Sequence, residues 1–254
     1  MTLDTLVILT GASRGLGQAV AAQYLAQGAF VLGLSRHHAS ALKASDGAGF
    51  EQWPVDLADP LPVAARLGAW LADFEARAHG ALPKQVRLIH NAALLSEPGN
   101  VAEADAANLA QSLRVGLEAP VALTAAFLRA TANWSASDRR VLFVSSGLGR
   151  RAMAGSAAYC AQKAGLDHFA RALALEEQVR PHGARVASVA PGIIDTDMQK
   201  QLRGADPARF KEQGTFAGFH SSGALDSPSA AAAKVIALLE RADYGQNPVA
   251  DVRG

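Results

Sequence analysis

Residues 5–17, TLVILTGASRGLG, decide how this chain folds. Leu6-Val7-Ile8-Leu9 is a short unbroken apolar run, the pattern of a strand covered on both faces of a parallel sheet. It runs straight into Thr10-Gly11-Ala12-Ser13-Arg14-Gly15-Leu16-Gly17, and a helical pattern through Leu16, Ala19, Val20 and Leu25 continues to a stop at Gly28. Phe30–Leu34 supplies a second strand, so the opening is a βαβ unit. A glycine-rich turn between strand and helix is where backbone N–H groups and a helix N-terminus cradle a pyrophosphate. In that reading Gly11 permits the tight turn, Gly15 lets the backbone approach a ligand, and Gly17 lets the helix pack closely on the strand.

Outward from this unit the alternation repeats. Phe50–Val55 reads as a third strand closed by Asp56, and Val63, Leu67, Trp70, Leu71 and Phe74 form the apolar stripe of the next helix. Val86–His90, Val141–Ser145 and Arg185–Ala190 are the fourth, fifth and sixth strands. An Ala- and Leu-rich helical stretch runs from about Glu103 to Trp134, where Pro120 predicts a kink or a break. Periodicity fades between Pro191 and Pro228, which reads as a mobile insertion with one short helix around Pro207–Gln213. Ser229–Arg241 is a final helix and Val249–Val252 an edge strand. No repeat, linker or low-complexity tail divides the chain. The expectation is a single α/β domain over residues 1–254, a Rossmann-like doubly wound parallel sheet with helices on both faces, carrying a substrate-loop insertion at about 193–228.

The 254 residues are 50% hydrophobic and 19% charged, enough for a substantial core, and the net charge is +1. Without a basic block, nucleic-acid binding is excluded as the main activity, because neutralising phosphates needs clustered Lys and Arg. The single cysteine, Cys160, cannot form an intrachain disulfide, reads as a packed thiol and suits a reducing cytoplasm. The N-terminus lacks a signal-peptide pattern, and no apolar run is long enough to span a bilayer, so a soluble cytoplasmic protein is expected. The seven histidines show no paired-ligand spacing, and no metal is expected.

Two further stretches carry chemistry. In Ser145–Gly165, Tyr159 and Lys163 are four apart and share one helix face. An ammonium about 4 Å from the phenol, at an effective dielectric near 20, favours phenolate by roughly 4 kcal/mol, or about three pKa units, which would bring the tyrosine near pH 7 as a proton donor. At the end of strand two the residues are Ser35-Arg36-His37, with no acid to hold a ribose 2′-hydroxyl and with Arg14 in the glycine loop. Cationic donors without a carboxylate favour a 2′-phosphate, hence NADP(H). Asp56 either accepts from an adenine amino group or caps the following helix.

TGASRGLG, Asp56-Leu57, HNAA at 90–93, Ser146 thirteen residues ahead of Tyr159, YxxxK, and PGIIDTDM at 191–198 follow one another across nearly the whole chain, and in this order they resemble the short-chain dehydrogenase/reductase family. RRVLFVSSGLG, AAYCAQKAG and VAPGIIDTDMQ are most similar to its sepiapterin reductase and bacterial benzil reductase branch. The resemblance implies that Ser146 orients a substrate carbonyl, Tyr159 protonates its oxygen as hydride arrives, and Lys163 supports the tyrosine and the nicotinamide ribose. It further implies a cofactor site built from Gly11, Ser13, Arg14, Gly15, Leu16, Gly17, Arg36, Asp56, Leu57, Asn91, Ala92, Tyr159, Lys163, Pro191, Gly192, Ile194 and Thr196. Ser145 is an alternative to Ser146, but its position at the strand end points to structural hydrogen bonding, and Asn91 would fix the central strand and the cofactor ribose.

Two departures stand out: Gly116 occupies a position where the family commonly has an asparagine supporting a water chain to the lysine, and His90 and Ala93 replace residues of the usual NNAG. Leu94, Leu95, Leu148, Met153, Phe210, Phe216, Phe219 and His220 either line an apolar substrate pocket or dock a helix on the domain. The implied activity is NADPH-dependent reduction of an apolar or aromatic ketone or diketone. The alternatives are a 3-oxoacyl thioester reductase, a hydroxysteroid-type dehydrogenase, or an NADP-binding regulatory protein of weak activity. A homodimer or homotetramer is implied, with no nucleic-acid or membrane partner.

Overall fold

In the computed structural model, which describes residues 3–44, 48–78 and 81–253, seven strands pair in parallel in the order β3-β2-β1-β4-β5-β6-β7. They are β1 (Thr5–Thr10), β2 (Phe30–Ser35), β3 (Gly49–Pro54), β4 (Gln85–His90), β5 (Asp138–Val144), β6 (Arg185–Ala190) and β7 (Val249–Asp251). Helices α1 (Gly15–Ala26) and α8 (Pro228–Leu239) cover one face, and α2 (Pro60–Ala78), α4 (Ala119–Ala130) and α5 (Ala157–Gln178) cover the other. The strands read as continuous apolar runs because alternate residues enter two cores. Leu6 and Ile8 of β1 pack toward α2 and α4, while Val7 and Leu9 pack toward α1 and α8. Strand order reverses on either side of β1, leaving a crevice above the strands' C-terminal ends, where ligands bind in open α/β sheets.

The long helix expected from about 103 to 134 is shorter and interrupted. Helix α3 (Ala106–Leu113), capped by Asp105 Oδ1 accepting from the Ala107 amide, leads through a π-helical turn, Arg114–Glu118, into α4. Pro120 sits in the first turn of α4 and cannot donate one turn back, so the backbone widens just upstream and the helix deforms instead of breaking. In the 191–228 region the expected helix at 207–213 is a turn, flanked by α6 (Asp197–Arg203) and α7 (Gln213–Ser221). The turn is closed by the Arg209 and Phe210 amides donating to Asp206 O, and it inserts Phe210, 1% exposed, beneath the two helices.

A charged cluster lies at the N-terminal ends of the strands, opposite that crevice. Arg87, fully buried in β4, donates from Nε to Glu240 Oε1 at 2.9 Å, from Nη2 to Glu240 Oε2 at 2.6 Å and to Asp138 Oδ2 at 3.2 Å. The Tyr24 hydroxyl donates to the same glutamate at 2.7 Å, and Arg140 and Arg185 donate to Asp138. The arginines hold both carboxyls below their usual range against the upward push of burial.

Candidate active site

The loops leaving six strand ends enclose one cleft of about 990 Å³. Gly11, Ser13, Arg14, Gly15 and Leu16 enter from the first loop, Arg36 from the second, Asp56 and Leu57 from the third, and Asn91 and Ala92 from the fourth. Ser146 and Leu148 come from the fifth loop with Met153 beyond it, and Pro191, Gly192, Ile194 and Thr196 from the sixth. Tyr159 and Lys163 project from the first turns of α5, and Phe216 and Phe219 close the far side from α7. Of the residues singled out for the cofactor, Gly17 stands behind the cleft: a Cβ there would overlap Gly11 O, so its role is the close helix packing expected of it. Gly11 and Gly15 have φ of +71° and +55°, which glycine adopts readily, and a Cβ on Gly11 would fall 2.8 Å from Asn91 Nδ2.

Asn91 ties the loop to the sheet, its Nδ2 donating to Thr10 O at 3.1 Å and Gly11 O at 3.2 Å. Asp56 Oδ1 accepts from the Ala58 amide at 2.9 Å, closing a turn ahead of α2, which begins at Pro60, so Asp56 does not cap that helix; the residue lines the cleft. The Ser35-Arg36-His37 end of β2 lines the cleft without a carboxylate, and Ser35 Oγ donates to His37 O. Arg14 is engaged in an ion pair: its Nη1 lies 2.8 Å from Asp197 Oδ2, joining the glycine loop to α6, with both side chains more than half exposed. The α1 N-terminus, the positive-φ glycines and the acid-free end of β2 together fit a dinucleotide carrying an extra phosphate.

Ser146 caps the short 3₁₀ turn at Gly147–Gly149, its Oγ accepting from the Leu148 amide at 3.2 Å. Ser145 is held by its amide donating to Val189 O at 2.8 Å, though its buried hydroxyl has no partner among the described residues, so structural bonding is confined to its backbone. Burial pushes the Tyr159 phenol up to about 12, with the Ser146 hydroxyl pulling it back in part. Burial also pulls Lys163 down to about 8, against the attraction of Asp167. This corrects the expectation of a tyrosine near pH 7. The Lys163 Nζ donates to Val144 O at 2.7 Å and stands 5.5 Å from the centre of the phenol ring, so desolvation outweighs its attraction for a phenolate.

On the substrate side, Leu95, Met153, Tyr159, Leu202 and Phe210 form an apolar cluster against which Leu148, Met198 and Phe216 pack. Phe210 docks α7, and Phe216, stacked on it at 5.8 Å, presents the cleft wall together with Phe219. His220 is exposed and does not line the cleft. His90 is buried with its Nε2 2.8 Å from Thr124 Oγ1, its ring stacked on Phe143, and burial holds it neutral with a pKa lowered to about 3. A residue that sequence reasoning missed is Gln162, between Tyr159 and Lys163 and fully buried; the available signal was the bare Gly116, since a missing side chain in a packed helix implies something large opposite.

Residues 5–207 match the short chain dehydrogenase family, and the chain belongs to it: it is an oxidoreductase of that family. It is 29% identical over 248 residues to a benzil reductase ((S)-benzoin forming) from Bacillus cereus, covering 96% of this chain and 97% of the other. A benzil reductase from Bacillus subtilis is 30% identical over 236 residues, 93% of each chain, in keeping with the branch read from the sequence. Among solved structures, a metagenomic short-chain oxidoreductase in complex with NADP superposes with a TM-score of 0.69 at 25% identity, covering 98% of this chain and 96% of that one. No helix among the described residues is long and apolar enough to cross a membrane.

Proposed function

We propose that this protein is an NADPH-dependent carbonyl reductase acting on apolar, aromatic ketones or diketones. The observation that carries the reading is one cleft holding Ser146, Tyr159 and Lys163 between an acid-free, arginine-bearing dinucleotide cradle and a wall of Leu148, Met153, Phe216 and Phe219. The benzil reductases and the NADP-bound neighbour support the same substrate class and cofactor. The chain acts as one domain in which residues 193–228 form the substrate loop.

When bound, the cofactor supplies hydride to the carbonyl carbon. Ser146 donates a hydrogen bond to the carbonyl oxygen and orients it. Tyr159, raised to about 12, keeps its proton throughout the neutral range and delivers it as charge develops on that oxygen, because an alkoxide is far more basic than a phenolate. Lys163, charged below about pH 8, stabilises the phenolate left behind and offers donors to ribose hydroxyls. The apolar cluster around Met153 excludes water from the transfer. Val121 on α4 and Leu175 and Val179 on and just after α5 are exposed apolar residues that support a homo-oligomer formed over these helices. The test is NADPH oxidation with diketones, aromatic ketones, pterins and acyl thioesters as substrates. Diketones and aromatic ketones are expected to lead, with Tyr159→Phe losing nearly all turnover; undiminished turnover in that variant overturns the mechanism, and faster acyl thioesters overturn the substrate class.

A further inference from the structure

Gln162 lies three residues after Tyr159 and one before Lys163, on the part of α5 that enters the cleft wall. Its side chain is fully buried, and Nε2 donates to two acceptors at once, Ser112 Oγ at 2.8 Å and Leu94 O at 3.1 Å. Ser112 Oγ in turn donates to the same Leu94 carbonyl at 2.8 Å. Three elements therefore meet on one carboxamide: α5, α3, and the loop after β4 whose Leu94 and Leu95 line the cleft. These bonds fix the orientation of the amide and turn its Oε1 the other way, toward the π-helical turn, where it has no partner among the described residues. It rests over the α-carbon of Gly116: a Cβ on that residue would overlap Oε1 outright and fall 3.2 Å from Nε2.

A buried carbonyl oxygen without a partner is uncommon and destabilising, so an arrangement that retains one needs a reason. The two bonds on the other side of the amide supply it. They set the spacing between the helix bearing the reacting phenol and ammonium and the backbone against which the substrate lies. We infer that Gln162 is a positioning residue for the reduction and that Gly116 is its obligatory counterpart, a glycine because the amide of Gln162 needs the room. The bare position 116 is then no defect in the site: the large side chain has moved across the helix pair.

The inference rests on the reading of Tyr159 and Lys163 as reacting groups, and the experiment separates the two. Five proteins are compared: wild type, Gln162→Met, Gln162→Ala, Gly116→Ala and the double Gly116→Ala/Gln162→Ala. For each, kcat and KM with a diketone, NADPH affinity by fluorescence and the thermal midpoint are measured. Gln162→Met keeps the volume and loses both donors; kcat falls about ten- to a hundredfold, the range a misplacement of reacting groups produces, while NADPH affinity stays within about twofold. Gly116→Ala costs a similar factor alone and close to nothing when Gln162 is already alanine, because the clash has gone. Wild-type kcat in Gln162→Met shows a merely space-filling side chain and overturns the inference, as does a Gly116→Ala penalty equal in both backgrounds. If Gly116→Ala does not fold, Gln162→Met alone still decides. Tyr159→Phe runs in parallel: retained turnover there refutes the reductase reading, whereas its loss beside an indifferent Gln162→Met refutes this inference only.

Discussion

Replacing Lys163 with methionine should abolish turnover and at the same time stabilise the cofactor-free protein near neutral pH. Lys163 is 2% exposed, and burial lowers its pKa from 10.5 to about 8. At about 1.4 kcal/mol per pKa unit, a gap of this size penalises the folded state by roughly 3 kcal/mol. The sign follows from the protons bound. Below pH 8 both folded and unfolded chains carry the charge and the penalty is complete; between 8 and 10.5 the unfolded chain binds more protons than the folded one, so stability rises with pH and the penalty fades. Methionine keeps an apolar stem and removes the charge, but leaves Val144 O without the donor now 2.7 Å away, which returns about 1 kcal/mol of the gain. The net expectation is about 2 kcal/mol of added stability near pH 7, shrinking to about zero near pH 9.5. Urea unfolding, followed by the fluorescence of buried Trp53 and Trp134, measures it at both pH values alongside NADPH turnover. A variant less stable than wild type at pH 7, or a gain that grows with pH, refutes the reasoning.

Arg36→Ala is expected to weaken NADPH binding by about tenfold and leave NADH binding unchanged, since one charge-assisted contact to a phosphate is lost; equal losses for both nucleotides would remove Arg36 from the 2′-phosphate. Gly17→Ala should lower the unfolding free energy by about 1–3 kcal/mol and loosen the cofactor, because its methyl would overlap the Gly11 carbonyl; a thermal midpoint and nucleotide affinity like wild type contradict the packing role. Glu240→Gln should destabilise the fold by about 3 kcal/mol by leaving the fully buried Arg87 underpaired, with kcat per folded molecule unchanged, both readable from denaturation and activity on one preparation.

The sheet was legible because apolar runs bounded by glycine loops leave little choice of element, and β1, β2, β4 and β6 fall within a residue of where the runs place them. The glycine loop, Asn91, Ser146 and YxxxK were legible for the same reason: each is a short-range pattern, the first three at a strand end and the last on one face of α5. What escaped depends on contacts distant in sequence. The alanine-rich stretch from 103 to 134 reads as helix whether its turns are α or π, and only Pro120 beside Gly116 hints at the widened turn. Placement of α6 and α7 on either side of residues 207–212 follows from burying Phe210, which helical periodicity does not encode. The tyrosine's pKa was misjudged because spacing fixes how near the lysine lies but says nothing of the solvent both lose on burial.

The cluster around Arg87 has a consequence for how this molecule can change. Its ion pairs sit at the N-terminal ends of the strands, and the cleft with Ser146, Tyr159 and Lys163, proposed to perform the chemistry, sits at the C-terminal ends, with the length of the sheet between them. Charge that anchors the fold and charge that performs chemistry are thus housed apart. Substitutions in the Phe216–Phe219 wall of the cleft leave that anchorage untouched, so under the proposed function substrate preference can drift across generations while the framework beneath it stays constant.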